Sequence, residues 1–332
     1  MVKKLALLGA GRIGKVHARA IAEDRRAKLV SVVDAVAEAA DAIARDGNCA
    51  VSTIDAVEAD AEIDGVIICT PTNTHADLIE RFARAGKAIF CEKPIDLDVD
   101  RARTCLETAR AENAQVMLGF NRRFDPHFLA VRRAIDEGKI GEVEMATIVS
   151  RDPGPPPAAY IKTSGGIFRD MTIHDFDMAR FLLGEEIATV MASAAVLVDP
   201  EIGELGDYDS ASIILTTKTG RQCVISNSRR ATYGYDQRIE VHGSLGSVAA
   251  ENQRPVSIEL ANSDGYTRPP LHDFFMTRYT AAYAAEISVF IDSLETGSAP
   301  SPSIEDGLAA LVLADAALRS VKEQKAIQIA PV

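Results

Sequence analysis

The chain lacks most of what would suit it to a membrane, to nucleic acid or to a structural metal. No apolar run approaches the ~20 residues that a membrane-spanning helix needs. Lys3 and Lys4 precede "LALLGAG", but that run is too short for the core of a signal peptide and no cleavage site follows. Basic side chains are outnumbered, 36 against 48 acidic, for a net charge of −12. Such a field repels phosphate backbones and anionic lipid, so neither nucleic acid nor a membrane is an expected partner. The cysteines (Cys49, Cys69, Cys91, Cys105, Cys223) are odd in number, and none forms a CxxC pair or a zinc-type spacing. They read as small buried hydrophobes in a reducing compartment, and a cytoplasmic protein without a metal site is expected. Internal repeats and low-complexity tracts are also missing.

What is present is an ordinary globular balance: 332 residues, 47% hydrophobic and 25% charged. That length favours two domains. The first third alternates short apolar runs with helical ones: "LALLG", a helix over 12–23, "KLVSVVD", a helix over 35–45, "GVIICT", a helix over 74–85, "AIFCE", a helix over 99–112, and "VMLGF". Apolar strands without strict alternation predict a doubly wound parallel sheet covered on both faces, a Rossmann-type α/β fold. The pattern changes near Arg123. A helix over 124–137 and the long strand "EVEMATIVSR" lead into "DPGPPPAAY", which is neither helix nor central strand. The runs "IATVMASAAVLV", "DSASIILTT", "RQCVISNSR", "RIEVHG", "GSVAAE" and "VSIEL" follow, with helices returning over 279–296 and 304–322. An α+β domain on a large, mostly antiparallel sheet is expected over 122–332, after a cofactor domain over 1–121.

"GAGRIG" lies between the first strand and the first helix. Gly9 permits a tight turn, Gly11 lets the backbone approach a pyrophosphate, and Gly14 lets helix and strand pack closely. The helix N-terminus, at Arg12 and Ile13, then offers N–H groups to phosphate. Asp34 ends the second strand twenty residues beyond Gly14, placed to accept hydrogen bonds from ribose hydroxyls. No arginine follows it at Ala35 or Val36, so NAD is expected rather than NADP. Cofactors lie at the carboxyl ends of such strands. That rule brings Thr70, Pro71, Asn73 and His75, and then Glu92, Lys93 and Pro94, to the dinucleotide. Thr74 reads as a helix N-cap.

Two groups are candidates for chemistry. Lys93 lies just past a buried-type strand, where its ammonium can hydrogen-bond a substrate oxygen; a surface pair with Glu92 is the alternative. In "GGIFRDMTIHDFDMARFLLG", read as a helix ending at Gly184, Asp170 and His174 are four residues apart and share a face. A carboxylate beside an imidazole holds it in one orientation for general-base work. The plainer reading is a capping Asp170 and a surface His174.

The glycine loop, "EKP" at Glu92–Pro94 and "GGIFRDMTIHDFD" resemble, in order and spacing over nearly the whole chain, the glucose-fructose oxidoreductase/inositol dehydrogenase/MocA (Gfo/Idh/MocA) family. Within it, "GFNRRFD", "SRDPGPPPAAYIKTSGGIFRDMTIHD" and "ATYGYDQRIEVHGSLG" look most like the bacterial inositol 2-dehydrogenases. The resemblance implies that Lys93 is the catalytic lysine and that Asp170 and His174 are the acidic residue and catalytic histidine. It also implies an open sheet that forms a homo-oligomer interface, commonly in a tetramer. Asn121, Asp152, Thr172, Tyr233 and Tyr235 fall in stretches that would line a polyol pocket. Sheet packing is the alternative for the tyrosines and a turn for Asp152. His272 and Asp273, in "RPPLHDFF", belong to a closing loop or an interface.

The expected reaction is oxidation of a secondary alcohol of a neutral cyclic polyol, myo-inositol foremost, to a ketone, with NAD as acceptor and no metal. A lysine from one domain and the imidazole–carboxylate pair from the other would converge on one hydroxyl. Other inositol isomers, aldoses, a tightly held NADP and a non-catalytic NAD sensor stand as alternatives. The combination of Lys93, Asp170 and His174 argues against the sensor, and Asp34 against NADP.

Overall fold

The computed structural model describes residues 2–330. They fall into two compact units: one runs to Phe124 and resumes over Thr280–Leu311, the other comprises Asp125–Tyr279 and the residues from Val312.

The first unit opens with β1 (Lys3–Leu8), α1 (Arg12–Glu23), β2 (Ala27–Val33), α2 (Ala37–Gly47), β3 (Ala50–Val51), α3 (Ile54–Ala59), β4 (Gly65–Ile68), α4 (His75–Arg84), β5 (Ala88–Glu92), α5 (Val99–Ala111) and β6 (Val116–Gly119). Its six strands pair in parallel in the order β3-β2-β1-β4-β5-β6. β4 and β6 are buried along their whole length, which is why they are apolar runs rather than alternating ones. The strand order reverses between β1 and β4, so the crevice expected of such sheets opens beyond Leu8 and Ile68.

The second unit contains α6 (Pro126–Asp136), β7 (Val143–Arg151), α7 (Ala158–Ser164), α8 (Ile173–Leu183), β8 (Ile187–Ala195), α9 (Pro200–Glu204), β9 (Ser210–Thr217), β10 (Gln222–Ser228), β11 (Asp236–Gly243), β12 (Gly246–Ala250), a small hairpin of β13 (Leu260–Asn262) and β14 (Gly265–Thr267), and α10 (Phe275–Arg278). With β15 (Ile327–Gln328) it builds a sheet ordered β12-β11-β7-β10-β9-β8-β15. β7 and β10 run parallel; the other neighbours run antiparallel. Ala146, Ile148, Ile213, Leu215, Cys223 and Ile225 are buried on one face, against which α8 packs. The other face carries exposed Met145, Met191, Ile214 and Val224.

Two long helices complete the chain, α11 (Thr280–Thr296) and α12 (Ile304–Glu323). α11 packs on α1 in the first unit, where Ile287, Phe290 and Ile291 join Leu5, Ile21 and Phe90 in one apolar core. Among the described residues no helix is long and apolar enough to cross a membrane.

Two local expectations change. Of "VSIEL" only Leu260 joins a strand, while Val256 and Ile258 are exposed, because no core lies opposite their alternation. The helix read from Gly165 to Gly184 ends at Gly184 as read but contains a π-turn. Gly165 and Gly166 both have positive φ, Phe168–Thr172 form a π-turn, and α8 begins only at Ile173. A distant residue holds the backbone before the turn: Asp207 Oδ1 accepts the Ile167 N–H at 2.9 Å and passes so close that a Cβ on Gly166 would lie 2.7 Å from it. π-turns of this kind recur at functional sites.

Candidate active site

In the first unit the glycines behave as their spacing suggests. Gly9 has φ +99°, and a Cβ there would lie 2.5 Å from the Cys69 carbonyl oxygen. A Cβ on Gly14 would lie 2.0 Å from the Gly9 carbonyl oxygen, so α1 can meet the loop only at a glycine. Gly11 is different: a Cβ would meet nothing within 4 Å. Packing does not demand a glycine there, whereas a ligand backing onto the loop would. Gly11 is also the N-cap of α1 and supplies no side-chain cap, leaving the first N–H groups around Arg12 and Ile13 for an anion. Asp34 is oriented by main-chain donors: Ala10 N–H reaches Oδ2 at 2.5 Å and Val36 N–H reaches Oδ1 at 2.7 Å. Each oxygen keeps a second lone pair for a ribose hydroxyl. These residues fit a dinucleotide.

The loops after β4 and β5 are tied to each other. His75 is fully buried; Nδ1 lies 2.7 Å from the Pro94 carbonyl oxygen and Nε2 lies 2.8 Å from that of Thr70. Burial pushes its pKa down, against the pull of the two carbonyls. His75 is thus engaged with main chain on both ring nitrogens, between the Thr70 and Pro94 loops. Thr74 holds the N-cap position without capping; its hydroxyl donates to the Pro71 carbonyl at 2.7 Å and pairs with that of Thr70. Pro71 and Asn73 are exposed. Lys93 is half-buried, and the Lys93–Pro94 peptide is cis. Glu92 pairs with His17, and Asn121 is buried at the turn after β6.

In the second unit, Asp170 sits in the π-turn and His174, half-buried, in the first turn of α8. The Tyr160 hydroxyl donates to Asp170 Oδ1 at 2.8 Å, and Arg229 Nη1 donates to Oδ2 at 3.3 Å. The residues flanking His174 in sequence enter a buried polar chain: Thr172 Oγ1 donates to Asn227 Oδ1 (2.6 Å), Asn227 Nδ2 to Asp175 Oδ2 (2.8 Å), and Ser150 Oγ to Asp175 Oδ1 (2.6 Å). Thr172, expected among pocket residues, spends its hydroxyl in this network and is fully buried. Tyr233 is exposed; its hydroxyl donates to Asp236 at 2.6 Å and accepts from Arg151, and burial together with Asp236 raises its pKa. Tyr235 is buried, edge-on to Phe274 and Tyr279. Asp152 is half-buried, its N–H bonded to Ser228. His272 gives its carbonyl to the Tyr235 N–H, and burial pushes its pKa down; Asp273 accepts from Thr277, which holds its carboxyl below the usual range.

Sequence reasoning missed His17, Tyr160, Asp207, Asn227 and Arg229. A signal existed for three of them. Cys223, Ile225, Asn227 and Arg229 share the inward phase of β10 and its extension, so two polar residues stand where a core residue belongs. His17 lies with Gly14, Ala20 and Ile21 on the buried face of α1.

The chain is similar to known proteins along nearly its whole length. Residues 3–120 match a family described as an oxidoreductase family with an NAD-binding Rossmann fold, and residues 128–249 match a GFO/IDH/MocA C-terminal domain. The chain is 70% identical over 330 residues to an inositol 2-dehydrogenase of Rhizobium meliloti, covering 99% of this chain and 100% of that one. It is 40% identical to a myo-inositol 2-dehydrogenase of Thermotoga maritima, with 98% of each covered. The crystal structure of scyllo-inositol dehydrogenase from Lactobacillus casei with NAD(H) and scyllo-inositol superposes with a TM-score of 0.92 at 28% identity, covering 99% of each chain.

Proposed function

The chain belongs to the GFO/IDH/MocA family of NAD-binding oxidoreductases, and from that footing we propose that it oxidises myo-inositol at one ring hydroxyl to the ketone, scyllo-inosose. The observation that carries this reading is the 70% identity, over the full length of both chains, to an inositol 2-dehydrogenase. NAD, when bound, supplies the acceptor for the hydride that leaves the carbinol carbon. The protein's residues do the rest. His174 takes the hydroxyl proton as general base and passes it to solvent. Asp170, fixed by Tyr160 and Arg229, orients the imidazole. Lys93 donates a hydrogen bond to the same oxygen as negative charge builds on it. The carbon loses a hydride and its oxygen a proton, leaving a carbonyl, NADH and one proton.

Gly9, Gly11, Arg12, Ile13, Gly14 and Asp34 hold the dinucleotide in this scheme, with Thr70, Pro71, Asn73 and Glu92 beside it. His75 acts from behind, through the carbonyls it bridges. Asn121, Asp152, Tyr233 and Tyr235 serve the polyol, and Thr172 supports them from the interior. The division of labour runs over 1–121 for the cofactor and 122–332 for substrate and assembly, with Thr280–Leu311 packed into the first unit. Assembly is a homotetramer in the cytoplasm. Its support is the row Met191–Ile214–Val224, in register across β8, β9 and β10 on the sheet's open face. Light scattering of the purified protein tests the tetramer.

The reaction is tested by NADH absorbance across a panel of inositol isomers and aldoses, with NAD and with NADP. Turnover of myo-inositol with NAD, lost by orders of magnitude in K93A and H174A while NADH still binds, is the expected result. An enzyme inert towards every inositol, or either variant at wild-type speed, contradicts it.

A further inference from the structure

We propose that His17 is a positioning residue for Lys93, acting through Glu92; this rests on the reading of Lys93 as the lysine that contacts the reacting oxygen. His17 lies on α1, whose N-terminus is the phosphate end of the cofactor site, and is 0% exposed. Its Nε2 stands 2.7 Å from Glu92 Oε1. An ionised carboxylate only accepts, so Nε2 carries the hydrogen. Among the described residues Nδ1 has no hydrogen-bond partner. A phenylalanine would fill the same space, edge-on to Phe90 at 4.9 Å and Tyr283 at 5.6 Å, without burying that orphan nitrogen. What histidine adds at this position is the bond to Glu92.

Glu92 has little freedom of its own. It is the last residue of β5 and pairs with Gly119 on β6. A Cβ on Gly119 would lie 3.0 Å from Glu92 Oε2, so the carboxylate lies flat against that strand. His17 closes it from the helix side. Lys93 is the next residue, at the start of a turn whose far end, Pro94, is fixed by His75. The lysine's backbone is therefore set between two buried histidines. One of them rides on the helix that receives the pyrophosphate, which links cofactor seating to lysine placement.

The test uses the full-length enzyme. H17F keeps the ring packing and removes the donor; H17Q restores an amide N–H at similar reach. At saturating NAD and inositol, H17F is expected to lower kcat about 10- to 100-fold, the cost of a misplaced catalytic group. Its Kd for NADH, from fluorescence titration, is expected to stay within about threefold, and H17Q to recover most of kcat. Should H17F fail to fold, E92A is expected to lower kcat likewise, with E92Q, which still accepts from His17, as its rescue. A purely structural role would weaken NADH binding along with kcat and would give no rescue. Wild-type kcat in H17F or E92A, with K93A inactive, overturns the positioning role alone. Wild-type kcat in K93A overturns it together with the catalytic reading beneath it.

Discussion

Arg229 Nη1 lies 3.3 Å from Asp170 Oδ2, and the guanidinium that makes this contact is 1% exposed. On its other side Nη2 stands 3.6 Å from Asp207, whose Oδ1 fixes the backbone at Ile167 just before the π-turn. One buried cation thus holds both the carboxylate proposed to orient His174 and the turn that carries it. Replacing it with methionine removes the guanidinium from both carboxylates. R229M should lose about 3–5 kcal/mol of stability, read from urea midpoints, and kcat with it. R229K should keep part of both. An unchanged midpoint would mean that the pair is not the support the geometry describes.

Asp34 faces main-chain donors on both oxygens and retains lone pairs for the ribose. D34A should weaken NAD binding about tenfold or more and narrow the preference over NADP, because the carboxylate that repels a 2′-phosphate is gone. Titration calorimetry with both dinucleotides measures this. Equal NAD affinity in D34A and wild type would remove the ribose contact.

His75 predicts a pH effect of definite sign. Burial holds its pKa below the ordinary 6.5, so the fold favours the neutral ring. Its contribution to stability is complete above about 6.5 and is lost as pH falls through the folded-state value. Wild-type urea midpoints should drop between about pH 7 and pH 5, and the drop should be shallower in H75Q. His272 is shifted the same way and stays in both proteins, so the difference between them reports His75. The depressed carboxylates Asp209 and Asp236 act around and below their ordinary 3.8, outside this window. Parallel pH curves would show that His75 does not titrate with unfolding.

What was readable in the sequence follows from range. Gly9, Gly14 and Asp34 are legible because their spacing falls within one strand–loop–helix–strand unit. Five of the six strands announce themselves as apolar runs; β3, two exposed residues, does not. The π-turn could not be read, because Asp207, which holds the backbone before it, is forty residues beyond Ile167. Arg229 was visible as a polar residue in the inward phase of β10 and its extension, but its partners lie 59 and 22 positions away. His17 was visible as a polar residue on a buried helical face, but its partner Glu92 lies 75 residues on.

The most direct test of the account is a crystal structure of the enzyme with NADH and an unreacted inositol in the same active site. The account predicts one ring oxygen within about 2.6–3.2 Å of both Lys93 Nζ and a ring nitrogen of His174, with the C–H on that carbon facing the nicotinamide. A polyol held with Lys93 and His174 on different oxygens, or with either side chain turned from it, would contradict the account.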